Sequence, residues 1–422
     1  MKRSNKMLVV FSLLAIFAVL VAACGPAATT APAATEAPAA TEAPAATEAP
    51  AATEAPAATE APTEMPAMTP VEIKIAFFGP LTGPAASIGQ EQLLFARLAV
   101  EDFNKANDMH FHATLVEEDT DISPDKALPV CQKDADDTTI LGVVGPAGSG
   151  QVEACADILE AASLVHVSSS ATRPSLSTAG KKTFFRVVPN DDVQGPTIGN
   201  YIADEIGAKT VYVMDDQSSY GATLADIVQQ TLEAKGVTTE RASVKQDDND
   251  FSALVTKIKG FNAELVFFAG QVTSQGALLA KQLQEQGVDI PIFGGDGFFS
   301  TKDFITDAGG ATEGSYASIF APDIHGVAEA ADVIAAADAS GTTWGNFGPP
   351  TYVAAQVVLQ AAVRASQAGN LTREGVLAEI AKTKLDSTIL GIPVSFDANG
   401  EVVGAAFFIS RVEGDQFKQV YP

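Results

Sequence analysis

Residues 140–170 read ILGVVGPAGSGQVEACADILEAASLVHVSSS. Ile140 to Gly145 is a short apolar run closed by Gly-Pro, the pattern of a fully buried strand. A helix is predicted from about Gln151 to Ala162, and Leu164 to Ser168 reads as a second strand. Strand, helix and strand in so short a span form a βαβ unit, and such units imply a parallel sheet.

The alternation extends both ways. Upstream, Val71–Phe78 reads as a strand, Gly89–Ala106 as an amphipathic helix, His112–Glu118 as a strand and Pro124–Asp136 as a helix. Downstream, a second series begins with a helix over Pro196–Ile206. Strands are predicted at Thr210–Met214, Ala242–Gln246, Glu264–Ala269 and Pro291–Gly294, with helices at Gly221–Lys235, Phe251–Lys259 and Gly276–Glu285. Three further helices follow near Val327–Ala336, Thr351–Ala368 and Arg373–Lys382, and Asn399-Gly400 marks a hairpin turn. The expected fold class is α/β, with two doubly wound parallel-sheet lobes and a cleft between them.

The start of the chain is of another kind. Lys2, Arg3 and Lys6 precede the apolar stretch Met7–Ala22, which ends in Val21-Ala22-Ala23-Cys24-Gly25. A basic segment, a short apolar run and small residues before a Cys resemble a bacterial lipoprotein signal, so residues 1–23 are expected to be cleaved and Cys24 acylated. Ala-Ala-Thr-Glu-Ala-Pro then runs five times between Ala33 and Pro62. Such a segment has little to bury, and its prolines interrupt any helix. Residues 24–70 are expected to be a disordered tether with a reach on the order of 130 Å.

From Val71 onward 46 acidic residues face 23 basic ones. That balance argues against nucleic acid or an anionic membrane surface as a partner, leaving the lipid as the membrane attachment. Besides Cys24 the chain has Cys131 and Cys155. No clustered Cys or His pattern suggests a metal, and His110 and His112 read as a polar strand face. In a sheet of order 2-1-3-4-5, right-handed crossovers put the helices carrying Cys131 and Cys155 side by side on one face, so a disulfide is expected in an exported protein.

Ligands of open α/β sheets sit beyond the carboxyl ends of the strands. Those ends carry Gly79 to Pro84, Gly145 to Gly150, Ser168 to Thr172, Asp215 to Tyr220, Gly270-Gln271 and Gly294 to Gly297. Small residues, hydroxyls and helix N-termini suit a carboxylate, and a buried Asp suits an ammonium. The set fits a free amino acid. The loop at 145–150 lacks the Lys-Ser/Thr of a nucleotide P-loop, and Ser149 has no evident His partner. Neither an enzyme nor a bound cofactor is expected.

Phe78-Gly79-Pro80-Leu81-Thr82-Gly83-Pro84, Ser168 to Pro174 (SSSATRP), Gln194-Gly195-Pro196, Tyr220-Gly221 and Phe396-Asp397-Ala398-Asn399-Gly400 together resemble the leucine/isoleucine/valine-binding proteins. These are type I periplasmic solute-binding proteins of ABC transporters. The resemblance implies a monomeric extracytoplasmic receptor that binds a branched-chain or similar apolar amino acid and delivers it to permease subunits. A sensor of the same fold, taking an amino acid or an amide or urea-like ligand and signalling to a membrane partner, is the alternative. The resemblance places ligand contacts on Ser149, Ser170, Thr172, Tyr220 and Asp296, the last facing the ammonium. Ile88 and Gln271 stand where the family often has aromatic pocket residues. It also implies an N-terminal lobe of 71–190 plus 321–394 and a C-terminal lobe of 191–320 plus 395–422. The three crossings would lie near Pro189–Asp192, Phe320–Asp323 and Pro393–Phe396.

Overall fold

The computed structural model describes residues 69–422. The signal and tether expectations, with acylation of Cys24, lie outside the described residues. The first series runs β1 (Val71–Gly79), α1 (Ala86–Asn107), β2 (Phe111–Asp119), α2 (Pro124–Asp136), β3 (Ile140–Val144), α3 (Ser149–Ala161), β4 (His166–Ser168), α4 (Ser175–Thr178) and β5 (Phe184–Arg186). Its five strands pair in the order β2-β1-β3-β4-β5, all parallel. Alternation along β1 explains the double winding. Ile73, Ile75 and Phe77 enter the core shared with α1, while Ala76 and Phe78 enter the one beneath α2 and α3.

The second series is α5 (Asp191–Asn200), β6 (Thr210–Asp215), α6 (Ser219–Ala234), β7 (Thr238–Ser243), α7 (Ser252–Phe261), β8 (Leu265–Ala269), α8 (Thr273–Glu285), β9 (Ile292–Gly294) and β10 (Tyr316–Ile319). The chain continues through α9 (Ala331–Ala339), α10 (Gly348–Gln367) and α11 (Arg373–Ile380), then β11 (Lys384–Leu385), β12 (Val394–Ser395), β13 (Phe408–Glu413) and β14 (Gln416–Tyr421). The second sheet has the order β14-β13-β10-β9-β8-β6-β7. Along β8, Leu265 and Phe267 face one core while Val266 and Phe268 face the other. α9, α10 and α11 return to the first sheet, where Val333, Val353, Val357 and Val376 join its core.

Three readings are corrected. The second sheet is mixed, because β13 pairs antiparallel with β10 and with β14. The regular C-terminal hairpin is β13–β14. At Asn399-Gly400 there is a turn closed by a single antiparallel bridge between Phe396 and Val402. Gly400 has φ +80° but Asn399 stays at negative φ, whereas the two-residue turn that propagates a hairpin needs both positive. Finally, β7 lies several residues before the predicted strand; it is an edge strand with little apolar alternation to mark it.

Cys131 on α2 and Cys155 on α3 are joined by a disulfide, with their Cα atoms 5.8 Å apart. Both are fully buried between the helices and the outer face of the sheet. Cross-linking positions 24 residues apart constrains the unfolded chain by roughly 3 kcal/mol on the chain-entropy account. Reduction is expected to lower the melting temperature and to leave ligand affinity within twofold, because the bridge lies against the outer face of the sheet, past the first turn of α3 that reaches the cleft. Thermal unfolding and calorimetry with and without reductant check both halves of that expectation.

Candidate functional site

The two sheets point their strand ends at one cleft. From the first come the N-terminus of α3, beginning at Ser149, and the loop 168–172 that leaves β4. From the second come Tyr220 in the first turn of α6 and Asp296 in a single 3-10 turn after β9. A small cavity of about 30 Å³ is lined by Ser149, Ser170, Tyr220 and Asp296 together with Ile88 and Gln271. The structure thus brings six of the seven predicted residues to one cavity. Thr172 is not on its lining; it lies fully buried at the end of the 168–172 loop.

The polar groups differ in how they are satisfied. The Ser170 hydroxyl donates to the Ala147 carbonyl at 2.9 Å and accepts from Gln92 Nε2 at 2.9 Å, so it is already engaged. Ser149 Oγ accepts only a long bond, 3.3 Å, from the Arg173 amide. Thr172 Oγ1 lies beside the Asp191 carboxyl, whose ionised form it acts to stabilise.

Across the cleft, Asp296 Oδ1 accepts from Tyr220 Oη at 2.6 Å and from Gln194 Nε2 at 2.7 Å. Gln194 also donates to Ser318 Oγ at 2.9 Å, which fixes the pair to β10. Burial pushes the Asp296 carboxyl up to about 6, although both hydrogen bonds act to lower it. Asp191, the first residue of α5, was not foreseen. Its side chain is fully buried, with the Thr172 hydroxyl acting to stabilise its charge. Burial, and then the charge of Asp296, push its carboxyl well above the usual range. The two buried carboxyls are thus near enough for the charge of Asp296 to act on Asp191, which, like Thr172, is not on the cavity lining. Nothing in Asn190-Asp191-Asp192 distinguishes this from an ordinary acidic first turn, so the sequence held no signal for it.

The remaining walls are apolar: Ala85, Ile88, Ile122 and Phe347. Ile122 and Phe347 were also missed. Phe347 precedes α10, whose start is held by Glu91 on α1. The Glu91 carboxylate accepts from the Gly348 amide at 2.6 Å, and burial raises it to about 7. Gly148 allows a close approach here. A Cβ at that position would lie 2.8 Å from Ile122 Cδ1 and 3.2 Å from Gln271 Nε2. The lobes also touch directly. Arg173 donates to Ser219 Oγ at 2.6 Å, Ser219 donates to Glu153 at 2.6 Å, and Ser87 donates to Asp303 at 2.5 Å.

A family model described as "Periplasmic binding protein" matches residues 72–416. The chain belongs to that family. Among curated relatives of this periplasmic binding protein, the Leu/Ile/Val-binding protein BraC3 of Rhizobium johnstonii is 30% identical over 348 residues, covering 81% of this chain and 92% of the relative. The leucine-, isoleucine-, valine-, threonine- and alanine-binding protein of Pseudomonas aeruginosa is 33% identical over 251 residues, 58% of this chain and 66% of that protein, just under two thirds of its length. Among solved structures, the branched-chain amino acid transporter substrate-binding protein LivJ of Streptococcus pneumoniae, in complex with isoleucine, superposes with a TM-score of 0.73 at 25% identity. The match covers 83% of this chain and all of that one. The α/β fold of two doubly wound lobes is the fold of these proteins. The family is one of solute-binding receptors, not enzymes, and works outside the cytoplasm.

Proposed function

We propose that this periplasmic binding protein holds a free apolar amino acid, of branched-chain type, between its lobes and hands it to the permease subunits of an ABC transporter. The observation that carries the reading is the division of the cavity's chemistry. On the first lobe, the N-terminus of α3 with Ser149 offers a carboxylate site. Asp296 on the lining offers an anionic group to an ammonium, with Asp191 and Thr172 buried nearby. Ile88, Ile122 and Phe347 leave an apolar space for the side chain. The named solutes of the relatives, and the isoleucine of the solved neighbour, agree with that division.

In this reading Ser149 and Thr172 hold the head group first, and Tyr220 and Asp296 close on it from the second lobe. Ser170 supports the loop, since its hydroxyl is already bonded, and Gln271 forms part of the wall. The lobes are proposed as 71–190 with the 321–394 segment, and 191–320 with the C-terminal strands. Val402 and Phe407 pack in the first lobe's core and Glu401 bonds Arg186 there, which supports a third crossing proposed near Phe407, beyond the Pro393–Phe396 expected from the resemblance. A monomer tethered by acylated Cys24 and the repeat segment completes the proposal. The test is a thermal-shift screen of the purified protein against amino acids and amides. Stabilisation by apolar amino acids supports the reading; stabilisation by amides alone would contradict the amino-acid site.

The carboxyl shifts add a pH expectation. Asp296 in the unliganded site is protonated below about pH 6, and Asp191 also resists ionisation. An ammonium binds the ionised forms, so affinity should rise as pH increases from 5 to 7.5, with protons released on binding near pH 6. For the unliganded protein the sign is opposite. A carboxyl whose pKa is raised by folding stabilises the fold at low pH, and that contribution is lost as pH rises from about 4 to about 6. Titrations in buffers of different ionisation enthalpy count the protons; affinity that is flat across this range would contradict the expectation.

A further inference from the structure

Asp121 and Ile122, between β2 and α2, have φ of +44° and +49°. Among L residues this left-handed region is least tolerable for a β-branched side chain, so two such residues in succession, one of them Ile, mark backbone strain. Strain persists only where its surroundings enforce it, and such places cluster at functional sites.

The surroundings here are dense. The Thr120 amide donates to the Gly79 carbonyl at 2.9 Å, and the Thr120 carbonyl accepts from the Ser123 amide and from Gln151 Nε2. Asp119 Oδ1 accepts from the amides of Leu81, Thr82 and Asp121. The Asp121 carboxylate is paired with Lys126 and packs where Gly83 has no side chain. The loop is thus tied to the ends of β1, α2 and α3, the elements that frame the cleft. What it delivers is Ile122. That side chain lines the cavity, and its Cδ1 and the Gln271 amide of the opposite lobe converge on Gly148. No other requirement of the loop explains an aliphatic, β-branched residue at a backbone position that suits Gly or Asn.

We infer that Ile122 is a specificity-determining residue. The strained turn drives its side chain into the space between the first lobe and Gln271, where it limits the length of the ligand's side chain to that of aliphatic amino acids and excludes aromatic ones. The inference rests on the proposed amino-acid site and deepens it. It assigns the size limit to a residue held by backbone strain, besides the fixed walls Ile88 and Phe347.

The test compares Ile122→Gly with Ile122→Ala in the purified protein, with L-leucine and L-phenylalanine as probes. Both substitutions remove the side chain, but only Gly accepts the positive φ. At ordinary backbone positions Ala is the more stabilising of the two. Here the order should invert, with the Gly variant melting higher than the Ala variant. In both variants the phenylalanine-to-leucine affinity ratio should rise at least tenfold over the parent. Ala melting as high as Gly would overturn the strain, and an unchanged ratio in both variants would overturn the selectivity. If the parent itself takes up no amino acid, the underlying reading of the site fails. The melting comparison would still report on the strain.

Discussion

Replacing Asp296 by Asn is expected to weaken amino-acid binding at least a hundredfold while the unliganded protein melts no lower than the parent. The first half follows from the charge. Asp296 is 4% exposed and has one oxygen fixed by Tyr220 and Gln194. Removing one member of a buried charge pair typically costs 2–5 kcal/mol, and a hundredfold corresponds to about 2.7 kcal/mol. The second half follows from burial. Folding raises this carboxyl from 3.8 to about 6. Its ionised form therefore costs the unliganded fold roughly 3 kcal/mol at neutral pH, a penalty the amide does not carry. A merely structural Asp would show the reverse, with stability lost and affinity kept. Calorimetry and thermal unfolding of the same preparation separate the two.

Arg186→Met is expected to destabilise the protein by about 3–5 kcal/mol, the range for breaking a buried ion pair on one side. The guanidinium is fully buried. Its Nε donates to Glu401 Oε2 at 2.8 Å, and a second bond reaches Glu401 Oε1. Nη1 donates to the carbonyls of Ala171 at 3.0 Å and Arg173 at 2.9 Å, on either side of Thr172. One side chain thus ties the returning C-terminal segment to the loop that presents Thr172. Its loss strands the Glu401 carboxylate and two carbonyls. At roughly 2–4 °C per kcal/mol for domains of this size class, the melting temperature should fall by about 10 °C. Adding Glu401→Leu should recover part of that loss, because the stranded charge is gone; a strictly additive double variant would contradict the coupling.

The parts of this molecule that the sequence announces are those where one physical cause acts alone. β1, β3 and β8 are buried on both faces, so their apolar runs are unmistakable, and α2 was placed at Pro124–Asp136 by its Pro-led start and acidic end. Ser149, Ser170 and Asp296 lie in strand-end stretches that the topology marks, and the resemblance singles them out there; all three line the cavity. The missed elements had no such marker. β5 is three residues long, and β13–β14 is an edge hairpin whose outer strand is largely exposed. Ile122 and Phe347 reach the cleft through a strained turn and a helix that returns from far along the chain, and Asp191 is buried at the start of α5. Their roles are set by tertiary placement and leave no trace in local pattern.

That the cleft reads the ammonium of an amino acid through the buried Asp296 carboxylate can be checked in one calorimetric comparison. The amino acid that gives the largest thermal shift is titrated beside its analogue with hydrogen in place of the α-ammonium. The account predicts one molecule bound per chain for the amino acid and affinity at least a hundredfold weaker for the analogue. Equal affinity for the two would contradict it.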